Sequence, residues 1–222
     1  MKITLSLLAC SALLLHAPPS AAADDISPAE KALFVTNHLA TLKPPTTLRY
    51  NFRKSGTLEA GFEDKVSISL RAQPDGTCCT AATKFLEGTR RLVLPEVESA
   101  QGNPVILFFL ERDIREMQRL TKGQSNYFRK RIRMAVYQGA TMSDVSVSYL
   151  GRSVAARQIT VAPYVDDPLR ARFEALAEKR YVFTLSDQVP GGVVGIRSQV
   201  DAAGAQPVLV EEMTLEGAAR QP

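Results

Sequence analysis

Two short stretches, "TLRYNFRK" (Thr47–Lys54) and "DKVSISLRA" (Asp64–Ala72), limit this chain more than any other feature. In the first, Leu48, Tyr50 and Phe52 alternate with Arg49, Asn51 and Arg53. In the second, Val66, Ile68 and Leu70 alternate with Lys65, Ser67, Ser69 and Arg71. Side chains alternate faces along a strand, so each stretch predicts a strand with one oily face and one wet face. Such strands belong to an antiparallel sheet covered on one side.

The rest of the chain fits that frame. "QPDGT" (Gln73–Thr77) reads as a turn, and "TAATKFLEGTRRLVLP" as two more short strands about Glu87-Gly88. "DVSVSYLGRSVAARQITVAPY" predicts a hairpin turning at Gly151, "RYVFTLSDQVPGGVVGIRSQV" two strands about Pro190-Gly191-Gly192, and "PVLVEEMTLEG" a last strand. Helices are predicted in three other places. "ISPAEKALFVTNHLATLKPP" has Ser27 as N-cap, Pro28 at the first helical position and a stop at Pro44-Pro45, with Ala32, Val35, Leu39 and Leu42 on one face. Residues 103–138 predict a helical insertion: Asn103 caps a helix from Pro104 to Lys122, Gly123 stops it, and Ser125 or Asn126 starts a second helix to about Tyr137. A short helix is predicted from Asp167-Pro168 to Glu178. The expected fold class is α+β: a curved, largely antiparallel, open-barrel-like sheet of 8–9 strands covered by about four helices. No strand–helix alternation of the parallel-sheet kind is present.

The N-terminus reads as an export signal. Met1-Lys2 is followed by an apolar run from Ile3 to Leu15 and then by Ala21-Ala22-Ala23, so residues 1–23 are expected to be a cleaved signal peptide and residues 24–222 a single domain. The apolar run is shorter than the about 18 residues of a spanning segment, and no later stretch is longer, so no transmembrane segment is expected after cleavage. "LLAC" also resembles a lipobox, which would place a lipid on Cys10. The expected location is the bacterial periplasm or outside. Cleavage removes one lysine and no acidic residue, taking the formal charge from +4 to +3. So small an excess in an exported protein excludes nucleic acid as the expected partner.

Catalytic equipment is sparse. His38 is the one histidine after residue 23, and it lies in the first predicted helix. "GRSVA" (Gly151–Ala155) lacks the last glycine of a nucleophile elbow, and no His-Glu-x-x-His, phosphate loop or dinucleotide fingerprint occurs. Cys78 and Cys79 are adjacent; on a strand they point to opposite faces and read as two small hydrophobes at a strand start rather than a redox switch. No catalytic residue, metal site or cofactor is expected. The carboxylate pairs Asp24-Asp25, Glu63-Asp64, Asp166-Asp167 and Glu211-Glu212 keep a carboxylate-based hydrolase open as an alternative.

The most unusual chemistry lies in the helical insertion. Between Glu111 and Arg133 there are eight basic residues (Arg112, Arg115, Arg119, Lys122, Arg129, Lys130, Arg131, Arg133) and three acidic ones (Glu111, Asp113, Glu116). Ile106, Leu110, Ile114 and Met117 make a buried stripe on the first helix, with Glu111–Arg115 and Arg112–Glu116 as i,i+4 pairs outside it. On the second, Phe128, Ile132, Ala135 and Val136 share the buried face. Arg112, Arg115, Arg119, Arg129 and Arg133 are the candidate contacts for a lipid headgroup, an anionic membrane surface or a partner; the other reading is a solvated basic face. Phe108 and Phe109 widen the apolar start of the helix beyond one stripe, as a cavity lining would require.

In order of parts the chain resembles the periplasmic lipoprotein-carrier family, the outer-membrane lipoprotein-sorting fold. "ISPAEKALFVTNHLATL" resembles the family's first helix, "LRYNFRKSGTLEAGFEDKVSISLRA" its opening strands, and "QGNPVILFFL" the turn into its inserted helical plug. The insertion here is longer and more basic, and tryptophan is absent. The resemblance implies an unclosed barrel holding acyl chains, and a non-enzymatic lipid- or lipoprotein-binding function. Tyr50, Phe52, Ile68 and Leu70 would then line an apolar cavity beneath Phe108 and Phe109. A cell-envelope interaction or scaffold protein with a filled core and no ligand is the alternative beside the carboxylate-based hydrolase.

Overall fold

The computed structural model describes residues 26–202, 204 and 206–220; the expected signal peptide, Cys10 and Asp24-Asp25 lie outside them. Eight strands form one antiparallel sheet: β1 (Thr46–Ser55), β2 (Phe62–Ala72), β3 (Cys78–Phe85), β4 (Thr141–Tyr149), β5 (Arg152–Val161), β6 (Arg180–Leu185), β7 (Val193–Val200) and β8 (Leu209–Arg220). Their order is β3-β2-β1-β8-β7-β6-β5-β4, so the sheet is curved but unclosed. The alternation read from the sequence sets its faces. Leu48, Tyr50 and Phe52 on β1 and Val66, Ile68 and Leu70 on β2 are buried on the core face, while Arg49 and Arg53 are exposed. Register shifts at Arg49/Tyr50, Arg71/Ala72 and Thr184/Leu185 insert extra residues, and such bulges bend and twist the strands that carry them.

The topology explains why the insertion is helical. It joins β3 to β4, the two opposite edges, which are seven strand spacings apart, or about 34 Å along the sheet. Two helices cross that span: α2 (Val105–Thr121) and α3 (Ser125–Gln138). The oily face of α2 lies on the sheet, with Val105, Ile106, Phe109, Leu110, Ile114 and Met117 buried; α3 adds Phe128, Ile132 and Val136. The Asn103 side chain accepts a hydrogen bond from the Val105 N–H at 3.2 Å, so it caps α2 from two residues before its first residue. At the other end Lys122 takes the left-handed conformation and Gly123 follows. A Cβ on Gly123 would stand 2.5 Å from the Phe128 ring, so the glycine lets the two helices turn tightly.

Four expectations are corrected. The first helix is short: α1 covers Pro28–Glu30, with Ser27 Oγ accepting from the Glu30 N–H at 3.1 Å, and a widened turn follows over Lys31–Val35. The Thr36 N–H reaches back five residues to the Lys31 carbonyl, and the chain then becomes extended. That widening shifts the helical phase: Ala29, Leu33 and Leu39 are buried, while Val35 is exposed. The helix expected near 167–178 is instead two 3-10 turns, Arg170–Arg172 and Glu174–Glu178, because Phe173 turns into a ring cluster with Phe128 at 5.5 Å and Tyr164 at 5.8 Å. The described helices therefore number three rather than four. The strand expected after Glu87-Gly88 is reduced to isolated bridges, Phe85 to Leu92 and Ala81 to Val97, which cover the outer edge of β3. Finally, Cys78 and Cys79 are not two independent hydrophobes: a disulfide joins them across a cis peptide bond.

Candidate functional site

The six residues expected to hold a ligand are packed together. Tyr50, Phe52, Ile68 and Leu70 are fully buried, and Phe108 and Phe109 are buried above them. Ring centroids of Phe62, Phe85 and Phe109 lie 5.7, 6.2 and 6.3 Å from that of Phe52, the spacing of rings in contact. The Arg112 guanidinium covers the remaining side of the Phe52 ring at 4.7 Å. Side chains thus occupy the space between β1 and α2.

Polar seams stitch α2 to the sheet. Asp113, fully buried, accepts hydrogen bonds from Lys179, Tyr181 and Ser198, and pairs with the Lys179 ammonium. A second seam surrounds Lys54, whose Nζ lies 2.6 Å from Glu59, 3.4 Å from Glu116 and 3.8 Å from Glu211. Arg112 was expected to pair with Glu116; its head instead bonds Glu211 at 2.7 Å, while Glu116 takes Arg119 at 2.9 Å. Burial would raise the Glu116 carboxyl, but the Arg119 hydrogen bond and the charges of Arg112 and Lys54 bring it down to about 2. A general acid needs the opposite shift. The chain-adjacent carboxylates also part company: Glu211 is buried with Arg112 whereas Glu212 pairs with Arg197, and Asp64 pairs with Arg90 whereas Glu63 faces Arg53. Buried Asp167 takes Arg131 and the Tyr127 hydroxyl, and Asp166 is exposed.

The candidate headgroup arginines fall into three environments. Arg112 is buried as described. Arg115 and Arg129 both hold Glu111, at 3.4 and 2.8 Å, and Arg119 holds Glu59 and Glu116. Arg133 is exposed with no partner among the described residues. None of the five lines the groove described next.

That groove arises where the sheet runs out of cover. β5 pairs with β6 only from Arg157 to Val161. Over that length Ile159 and Val161 share the core face with Phe183 and Tyr181, and all are buried. The β4–β5 hairpin then continues past the end of β6. On the same face Arg157 and Ala155 become exposed, and burial switches to Val154, Ala156 and Tyr149 on the opposite face. The uncovered continuation of the core face is roofed by the segment after α1. The resulting groove measures about 570 Å³, and its apolar lining includes Ala32, Ala155, Leu185 and Val189.

One node holds the roof in place. His38 Nε2 lies 2.9 Å from the Ala32 carbonyl, and its Nδ1 accepts the Asn103 N–H at 3.1 Å, which fixes a neutral ring protonated at Nε2. The Asn103 amide donates to the Tyr50 hydroxyl and to the Gly191 carbonyl, both at 2.8 Å. Gly191 and Gly192 have φ of +74° and +71°, and a Cβ on them would stand 2.5 Å from Leu48 and 3.0 Å from the His38 ring. Residues read as a helix cap, a helix-surface imidazole and a hairpin turn therefore converge on one point. The pattern "GN" before Pro104 and "GG" after Pro190 were the available signals, but neither identifies the other as its partner.

The node carries a pH prediction. Burial holds the His38 pKa below its ordinary value of 6.5, against a smaller opposing effect of the Ala32 carbonyl. A depressed folded pKa contributes stability that is present above the unfolded value of about 6.5 and is lost as pH falls toward the folded one. The melting temperature should therefore drop as pH is lowered from neutral, and His38→Gln should flatten that part of the profile. An unchanged profile in the variant would show that other groups cause the drop.

Among the described residues no helix is long and apolar enough to cross a membrane, and no three His, Cys, Asp or Glu side chains are grouped to hold a metal ion. No protein-family model matches the chain, and no curated protein matches it in sequence. Solved structures similar to it include the following two. The lipoprotein LppX of Mycobacterium tuberculosis is 9% identical, with 78% of this chain and 85% of that one covered and a TM-score of 0.33. A LolA-superfamily protein of Nitrosomonas europaea is 7% identical, with 87% and 94% covered and a TM-score of 0.24. The resemblance to the lipoprotein-carrier fold is weak and topological, and nothing about a ligand follows from superposition at that level.

Proposed function

We propose that this is a non-enzymatic, exported lipid- or lipoprotein-binding protein that receives an apolar chain in the groove between the free half of the β4–β5 hairpin and the roofing segment that His38 holds in place. The observation that carries the reading is the uncovered stretch of core face itself. Elsewhere that face is sealed by α2 and α3; here about 570 Å³ is open and apolar side chains reach it. Small-ligand sites are concave, mostly apolar and of about 300–1,000 Å³. Each methylene buried contributes about 0.8 kcal/mol, so a chain needs no special chemistry to bind. On this reading Tyr50, Phe52, Ile68, Leu70, Phe108 and Phe109 are the packed wall behind the groove, and a chain reaches them only if α2 lifts. The five arginines serve docking to an anionic surface or partner rather than the groove.

Native mass spectrometry of the purified protein, followed by titration with a fluorescent fatty acid, tests this. Ala155 is exposed on the groove side of β5. Ala155→Trp should fill the groove and weaken binding at least about tenfold, equivalent to about 1.4 kcal/mol. A protein that carries no acyl species and ignores the probe removes the reading. The alternative is an envelope scaffold without ligand, and the ring contacts that fill the space under α2 favour it.

A further inference from the structure

We infer that the groove prefers a single-chain amphiphile with a cationic amine head over one with a carboxylate or phosphate head, an inference that rests on the groove being the apolar-chain site proposed above. Three charged side chains line it: Asp144, Arg157 and Asp187. Asp144 and Arg157 are register partners on β4 and β5 and pair at 3.1 Å, so they cancel each other. Asp187, just beyond the end of β6, is exposed and has no partner among the described residues. His38 adds no charge, because its Nδ1 is occupied as an acceptor by the Asn103 N–H. The groove is therefore locally acidic in a chain whose overall balance is +4.

Two of the three lining hydroxyls are committed, Thr36 Oγ1 to the Lys31 carbonyl and Ser186 Oγ to the Ala155 carbonyl; Thr41 and the Asn37 amide remain as uncharged donors, so the preference rests on the charges. Arg157 is the one cation among the described lining residues, and a carboxylate already stands beside it. An ammonium group, by contrast, finds the Asp187 carboxylate uncompensated. The basic residues that the sequence places in the insertion do not alter this, since none of Arg112, Arg115, Arg119, Arg129 and Arg133 lines the groove.

The test is a set of affinities for the full chain at neutral pH, measured with dodecylamine, monolauroylglycerol and laurate below their micelle concentrations. An exposed ion pair typically contributes 0.2–1 kcal/mol, so the amine should bind about 1.4- to fivefold more tightly than laurate, with the uncharged glyceride between them. In Asp187→Asn the ratio of amine to laurate affinity should fall toward one, and added salt should reduce the wild-type ratio. Laurate binding as tightly as the amine, or an amine preference that Asp187→Asn leaves unmoved, overturns the inference while the groove reading stands. If none of the three amphiphiles binds, both fall.

Discussion

Replacing Asp113 with alanine is expected to destabilise the protein by about 3–5 kcal/mol, the range found when one partner of a buried ion pair is removed. Lys179 is completely buried, and Asp113 is its one ionic partner among the described residues. Without the carboxylate its ammonium would have to lose its proton or pull water inward, and Tyr181 and Ser198 would lose their acceptor as well. A loss of that size is a large share of the about 5–15 kcal/mol that holds an ordinary domain together. Urea unfolding monitored by circular dichroism measures it. The control is the double variant Asp113→Leu/Lys179→Met, which removes both charges and should recover much of the loss. A single variant within about 1 kcal/mol of wild type would mean that the pair is hydrated in solution.

Phe52→Ala asks whether the space beneath α2 is full. In a packed core the substitution should cost about 3–5 kcal/mol, because the loss of transfer energy is joined by the cost of a cavity. Phe62, Phe85 and Phe109 would each lose a ring contact, and the Arg112 guanidinium would lose the ring it covers. A cost nearer the about 1.5–3 kcal/mol of simple transfer would indicate free volume that neighbours already share. The two outcomes separate a filled core from a hollow plugged by Phe108 and Phe109. The same unfolding experiment serves both variants, and unchanged binding of a fatty-acid probe by a folded Phe52→Ala protein would place the ligand away from this wall.

How far the site could be read in advance differs by element. The alternation in β1 and β2, the Asn103-Pro104 start and Gly123 stop of α2, and the turn at Gly151 are all local patterns, and the structure contains each of them. The first helix failed locally as well: a widened turn at Lys31–Val35 has no propensity signature that distinguishes it from an ordinary helix. Arg112 was read as a surface charge because Glu116 stands four residues on. Its partner is Glu211, 99 residues away, and no periodicity reveals that. The basic excess of the insertion shrank in the same way, as Glu59, Glu211 and Asp167 arrived from other elements to meet Arg119, Arg112 and Arg131.

By itself the sequence determined which face of β1 and β2 is oily, where the two long helices begin and end, and that catalytic motifs are few. Those properties follow from residues within a few positions of one another. Only the tertiary structure decided that β5 outruns β6 and so leaves part of the core face open, that His38, Asn103 and Gly191 meet, and that the groove is lined by Asp187 and not by the five candidate arginines of the insertion. The difference is physical: strand length relative to a neighbour, and the partner of a buried charge, depend on contacts between segments that the chain brings together only when it folds.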